Sequence, residues 1–345
     1  MLEPLANWSD PAKRRLWAVK AAHERDEARL IELLEAYLYL KGRKKALVSR
    51  ETLRTYRTAL RDYLAWAWPE GSPGPRVPLL KASSDDLDRY LNSLQTKGGN
   101  LPENSRPLKP ASVATYLAGV RAFYRALEWA GAAVAPEDVH APADPTPREE
   151  RRPALPIELY KQLLDHLDDV EDLTKTRDRA MVRLMAEAGL RISETVHLDV
   201  DDFLPAERLL IIRSGKGGKQ RTVPLSRSLT AELGRWLRLR IGIADGGESA
   251  LFVNTGGRKN KGRRLSPSLL RKRLARYYGE LGFPKRYHGA HMLRHTAGTR
   301  FYRATKDLHV TARLLGHSNV NTSAIYAKMD LEGLRAAVDE LEEEQ

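Results

Sequence analysis

Arg208-Leu-Leu-Ile-Ile-Arg-Ser-Gly-Lys-Gly-Gly-Lys-Gln-Arg-Thr-Val-Pro224 is the stretch on which the reading of the fold turns. Its two β-like runs, Arg208 to Arg213 and Gln220 to Pro224, flank the glycine-rich Ser214-Gly-Lys-Gly-Gly218. Apolar runs around a glycine turn are the signature of a hairpin. The segments on either side carry helical spacing instead. Upstream lie Pro156 to Leu167 and Arg177 to Ala188; downstream lie Ser228–Ile241, Pro267–Leu281, His291–Ala304, Val310–Leu315 and Asn321–Leu341. This half of the chain is therefore expected to be mostly α with a small antiparallel β element.

Further upstream, Gly131 to Pro156 holds prolines at 136, 142, 145, 147, 153 and 156. Proline removes helix and favours extended backbone, so 132–155 is expected to be a semi-rigid linker and a domain boundary. Before it, Leu30, Leu33, Leu34, Tyr37 and Leu38 recur at helical spacing within Asp26 to Leu40. Ser49 reads as a cap for a helix with Leu53, Tyr56, Leu60, Tyr63, Leu64 and Ala67 on one face. Gly71-Ser-Pro-Gly-Pro75 is a loop, and Ser83 or Ser84 opens a third helix whose early acids suit the helix dipole. Pro110 starts a fourth, with Val113, Tyr116, Leu117, Val120, Phe123, Tyr124 and Leu127 aligned. About four helices predict a small bundle over 26–131. Residues 1–25 show no sustained periodicity and read as a ragged extension.

The whole chain has 345 residues, 58 Lys+Arg against 45 Asp+Glu, and no cysteine. Without cysteine there are no disulfides, no thiolate-held zinc or iron–sulfur cluster and no thiol nucleophile. No apolar run approaches the roughly 18 residues of a membrane span. Met1 to Asp10 lacks a basic then apolar leader, so a cytoplasmic location is expected. Charge is unevenly spread. Residues 1–150 have a net charge of +3, residues 151–328 of +16, and Met329 to Gln345 of −6. A basic segment attracts polyanions through counterion release, which makes nucleic acid the obvious partner.

Four local features could carry chemistry. In Ala188-Gly-Leu-Arg-Ile-Ser-Glu194, Arg191 and Glu194 are three apart, placed on one helical face, either as an oriented guanidinium or as a plain surface ion pair. Lys216 sits at the tip of the hairpin between glycines, outside any P-loop pattern. His291-Met-Leu-Arg294-His295 puts two His and an Arg on one helix face. Met292 stands where a zinc protease has its Glu, and no third ligand is evident, so phosphate suits this face better than a metal. Leu315-Gly316-His317 is followed nine residues on by Tyr326, whose phenol needs cationic neighbours to act as a nucleophile.

Taken in order, Arg191, Lys216, His291-x-x-Arg294, His317 and Tyr326 resemble the tyrosine recombinase (phage integrase) family. Ala-Gly-Leu-Arg-Ile-Ser-Glu, Gly-Lys-Gly-x-Lys, His-x-Leu-Arg-His-Thr and Leu-Leu-Gly-His-Ser are similar to its Xer-like bacterial branch. The likeness is detailed from Pro156 to Gln345; the N-terminal bundle matches the core-binding domain in type and position. Departures at Thr195-Val196 and Ala297-Gly298 touch no catalytic position.

The resemblance implies a mainly α fold, a core-binding bundle and a catalytic domain forming a C-shaped clamp on double-stranded DNA. It implies strand cleavage and rejoining without metal, ATP or other cofactor. Tyr326 attacks the scissile phosphate and forms a 3′-phosphotyrosyl link. Arg191 and Arg294 hold the non-bridging oxygens, His291 and His317 hydrogen-bond the same phosphate, and Lys216 protonates the 5′-oxygen. Glu194 supports Arg191, and His295 is supporting in a way left open. In Gly256-Gly-Arg-Lys-Asn-Lys-Gly-Arg-Arg264, residues Arg258, Lys259, Lys261, Arg263 and Arg264 form either a DNA-tracking loop or a solvated one, and Lys219 joins the DNA-binding set. The tail 329–345, with Leu331, Leu334, Val338 and Leu341 at helical spacing, implies a helix that meets another protomer in a homo- or hetero-tetramer on two DNA sites. Chromosome or plasmid dimer resolution with a second recombinase or a translocase, or an integrase role, are the implied contexts. The competing readings are a type IB topoisomerase and a non-catalytic DNA-binding protein of the same fold.

Overall fold

The computed structural model describes residues 8–102, 105–147, 153–213, 220–257, 259–317 and 319–328. The chain divides into two compact units, Met1–Pro145 and Thr146–Gln345.

The regular elements among the described residues of the first unit are all helices. The unit begins with α1, Pro11–Glu24, where the ragged extension is expected. Asp10 caps it by accepting from the amides of Ala12 and Lys13, and Pro11 sits in the first turn. Its buried face is Ala18, Ala21 and Ala22, too weakly apolar to stand out as a period. Trp8 closes over this end, edge-on to Trp17 at 5.9 Å. The next helices follow their sequence signals: α2 is Glu27–Leu40, α3 Arg50–Ala67, α4 Ser84–Thr96 and α5 Pro110–Trp129. Ser49 accepts from the Thr52 amide, and Ser83 with Asp86 forms a reciprocal capping box. Gly119 lets α5 approach α3, because a Cβ there would stand 2.7 Å from that of Ala59. Residues 132–141 contain no helix or strand, yet they are not a free-standing spacer. Val139 is buried, its carbonyl accepts from Arg121, and Ala132, Ala133, Ala135 and Ala141 pack on the bundle.

The second unit is α-rich around one small sheet. Helix α6 is Ile157–His166, and α7, Leu173–Glu187, starts a turn earlier than its apolar pattern because Asp172 caps Thr174 and Lys175. After α7 comes the short α8, Ile192–Val196. The sheet is an antiparallel meander of β1, Phe203–Leu204; β2, Leu209–Ile212; and β3, Arg221–Pro224. The predicted hairpin strands pair in the register Leu210↔Val223 and Ile212↔Arg221, and β1 adds a third strand that two residues are too few to announce. Helices α9, Arg227–Ile241; α10, Pro267–Glu280; α11, Ala290–Thr305; α12, Leu308–Leu315; and α13, Ala324–Lys328 complete the described residues. Leu210, Ile212, Val223, Trp236 and Phe252 belong to the main core. Ala297, Leu315 and Tyr326 form a separate small apolar cluster with Phe301, Tyr302 and Ile325 packed against it.

Candidate active site

Gly189 ends α7 at φ +71, and a Cβ there would overlap the Leu315 side chain. The chain then turns so that Arg191 is the N-cap of α8, with extended φ −74 and ψ 152. Arg191 and Glu194 thus do not share a helical face; they meet around a helix start. Glu194 accepts from the Arg191 backbone amide at 2.9 Å and from Arg191 Nη1 at 2.7 Å. Arg221, the first residue of β3, adds a two-pronged contact, Nη1 to Oε1 at 3.0 Å and Nη2 to Oε2 at 2.8 Å. Burial pushes the Glu194 carboxyl up, but the Arg221 and Arg191 contacts outweigh it and hold it down at about 2.

Arg294 enters from α11 and is only 5% exposed. It donates to the carbonyls of Gly189 and Leu315, the latter at 2.6 Å, and its Nη1 stands 3.9 Å from Glu194 Oε2. Burial, then the neighbouring Arg191, lowers it to about 10, so it stays charged at neutral pH. Three guanidiniums converge on one carboxylate, and two positive charges remain uncompensated among these four side chains. Such a centre is built for an oxyanion.

Gly316, at φ +66, turns the chain out of α12 into His317. His317 Nδ1 is hydrogen-bonded to Ser323 Oγ at 2.8 Å. Burial, Arg294 and Arg191 drive this imidazole down to about 4, so it is neutral at pH 7. Tyr326 on α13 is 1% exposed, its ring parallel to His317 with centroids 6.3 Å apart and tilted against His295 at 5.8 Å. Burial raises its phenol to about 12, against the pull of Arg294 and Arg191.

The structure thus brings together Arg191, Glu194, Arg294, His295, His317 and Tyr326. His291 is on the first turn of α11 and exposed. Lys216 and Lys219 lie outside the described residues, as do Arg258 and the tail 329–345. The basic loop is a closed turn rather than a loose one: Val253 bridges to Arg264, and the Gly262 amide donates to Asn254 O at 2.8 Å. Lys259 and Lys261 are exposed on it, and Arg263 pairs with Asp245 at 3.0 Å. Arg264 does not project outward. It donates to the carbonyls of Val196 and Leu198, both at 3.2 Å, and pairs with Asp199.

Sequence reasoning missed three residues. Arg221 has its partner 27 positions away, where no local spacing reveals it. Ser323, fully buried, stays hidden until His317 is seen to contact it. Gly298 was taken to touch no catalytic position, yet a Cβ there would overlap the Tyr326 ring. The ring lies flush on the α11 backbone only because residue 298 has no side chain.

Residues 154–332 match the phage integrase family and residues 31–131 match the phage integrase N-terminal SAM-like domain. The tyrosine recombinase XerC of Vibrio campbellii is 36% identical over 236 residues, covering 68% of this chain and 71% of that one. A tyrosine recombinase XerC of Pseudomonas putida is 35% identical over 311 residues, 89% of this chain and 94% of that one. The fold is similar to that of the XerH site-specific recombinase bound to a palindromic difH substrate, with a TM-score of 0.64 at 18% identity over 98% of this chain and 96% of that one. The chain belongs to the phage integrase family and is a site-specific tyrosine recombinase of the Xer-like branch.

Proposed function

We propose that the chain binds double-stranded DNA and that the Glu194-centred cluster is its cleavage centre. Tyr326 Oη attacks the scissile phosphorus, the P–O5′ bond breaks, and the 5′-oxygen leaves as a hydroxyl after taking a proton from Lys216. The phenol proton passes to His291, our candidate base, while His295, in ring contact with Tyr326, keeps the phenol oriented. Arg191 and Arg294 bind the non-bridging oxygens as charge builds in the pentacoordinate transition state. His317, neutral at working pH, hydrogen-bonds the same phosphate. Because the phosphotyrosyl link conserves the phosphodiester bond energy, religation is the reverse attack by a 5′-hydroxyl.

The observation that carries this reading is the convergence of Arg191, Arg221 and Arg294 on one carboxylate beside a buried tyrosine. The test is a nicked suicide duplex bearing a cognate site. Wild type should leave an SDS-stable protein–DNA adduct and Tyr326→Phe none. No adduct from wild type, or an undiminished one from the Phe variant, sinks the reading. We further infer that four protomers synapse two sites through the tail 329–345. Deleting Leu331–Gln345 should then weaken synapsis more than single-site binding; equal loss of both would count against it.

A further inference from the structure

We propose that Arg221 is a positioning residue for strand cleavage: it locks the Glu194 carboxylate so that Arg191 presents its guanidinium to the scissile phosphate in one direction. The proposal rests on the cleavage centre assigned above and deepens it.

The Glu194 carboxylate takes four hydrogen bonds. Oε1 accepts from Arg191 Nη1 and Arg221 Nη1, and Oε2 accepts from the Arg191 amide and Arg221 Nη2. A carboxylate saturated in this way cannot rotate. Arg191 uses Nη1 on it, and no contact is recorded for its Nε or Nη2 among the described residues, so those donors are left for a substrate. Arg221 is differently placed. Both its Nη atoms are occupied by Glu194, and its Nε is buried, with no hydrogen-bond partner among the described residues. Its Cδ stands 2.8 Å from where a Cβ of Gly316 would lie, so the side chain is wedged between the Arg191 turn and the turn that carries His317. With its donors turned inward, Arg221 acts through Glu194 rather than on the phosphate.

Electrostatics supplies the second part. Arg294 stands 3.9 Å from Glu194 Oε2. A carboxylate released from Arg221 would swing toward Arg294 and draw its charge away from the oxyanion. Arg221 supplies the compensating charge for Glu194, and Arg191 and Arg294 keep theirs for the transition state. Its place at the start of β3 also ties the hairpin to both turns through one side chain.

The experiment is a cleavage cycle on the suicide duplex under single turnover, with site affinity measured separately. Arg221→Met should slow adduct formation by about 10- to 100-fold, the range for losing a partner that orients a functional group. Affinity for the site should change by no more than about threefold, and Arg221→Lys, which restores charge without the fork, should recover only part of the rate. The deciding variant is the double one. Arg221→Met with Glu194→Gln should be no slower than the slower single variant, because both changes break one relay. Multiplicative losses would overturn the proposal by showing that Arg221 meets the phosphate itself. So would a wild-type rate from Arg221→Met, or weakened binding with an unchanged cleavage rate. If thermal unfolding shows Arg221→Met to be misfolded, Arg221→Gln and Arg221→Lys are carried through the same cycle and judged by the same outcomes. An absent wild-type adduct sinks the cleavage centre and this proposal together; a cleaving wild type with additive variants sinks the proposal alone.

Discussion

The two units have interiors of different chemistry. Among the described residues of the first, Asp62 is the one buried charged side chain, and neutral donors answer it: Tyr90 OH at 3.0 Å, the Asn100 amide at 2.7 Å and Asn100 Nδ2 at 3.0 Å. The tyrosines around it bond one another, Tyr63 to Tyr124 at 2.6 Å. The second unit buries Arg177, Asp178, Glu194, Asp202, Glu232, Arg240 and Arg294. Burial of charge alone does not mark a site, because these arginines are balanced in different ways. Arg177 donates to Asp178 Oδ1 at 2.9 and 2.6 Å and to Val253 O at 2.9 Å, and it shares that carboxylate with Arg273, which pairs with Oδ2. Arg294 gives one contact from each Nη to a carbonyl, which does not cancel its charge, and the nearest carboxylate, Glu194 at 3.9 Å, is shared with Arg191 and Arg221. What sets the Glu194 cluster apart is its excess: three guanidiniums converge on one carboxylate there, against two on Asp178.

The sharpest test of that distinction compares the two buried arginines. Arg294→Ala should slow adduct formation by about 10³-fold, the upper range for losing a preorganised donor to a developing oxyanion. Arg177→Met should leave the rate per folded molecule nearly unchanged while lowering unfolding free energy by about 1–3 kcal/mol, because Asp178 Oδ1 and Val253 O lose their buried donor while Arg273 and Tyr277 still hold Asp178 Oδ2. Single-turnover cleavage and denaturant unfolding read the two effects. Similar cleavage losses in both variants would erase the contrast.

Gly298→Ala ranks next. Overpacking at a closed contact costs about 1–3 kcal/mol, and the group that must give is the Tyr326 ring. The phenol should leave its seat, so Tyr326 should become open to nitration, read by mass spectrometry, while buried Tyr277 and Tyr278 stay protected. Continued protection of Tyr326 in the variant would show that the helix, not the ring, had moved.

The pH effect is smaller and has a definite sign. Folded His317 titrates near 4 against an ordinary 6.5, so between those values the unfolded chain binds a proton that the folded one excludes. Its contribution to stability is complete above pH 6.5 and is lost as pH falls toward 4. The His317→Gln variant should therefore lose less stability than wild type between pH 6.5 and 4. An unchanged slope would show that His317 does not hold its neutral form in the fold.

Much of the first unit was legible because its signals are local. Ser49, Ser83 and Asp26 cap helices within three residues of themselves, and leucines mark the buried faces. Helix α1 escaped notice because alanines bury without raising the hydropathy contrast. In the second unit the order of Arg191, His291, Arg294, His317 and Tyr326 was readable, but their arrangement was not. That Arg191 is an N-cap depends on a positive φ at Gly189, and the hold of Arg221 on Glu194 spans 27 positions. Long-range ion pairs leave no periodicity.

The basic loop gives the smallest and most separable effect, and it opposes two residue kinds that composition alone treats alike. Lys259 and Lys261 are exposed, with no ion pair recorded for them among the described residues. If each meets a DNA phosphate, Lys259→Ala and Lys261→Ala should each reduce the salt slope of site binding by about 1, uniformly across sequences. Arg264 is held by carbonyls of residues 66 and 68 positions away and by Asp199. Its loss takes the guanidinium from Val196 O and leaves Leu198 O with the Leu251 amide alone, so Arg264→Ala should lower stability by about 1–3 kcal/mol and leave the salt slope as in wild type. The reverse pattern, a reduced slope with intact stability for Arg264→Ala, would mean that its internal contacts open when DNA binds. Charge that holds the loop closed and charge that faces solvent would then be one reservoir, and the line drawn between Arg177 and Arg294 would not extend to this edge of the unit.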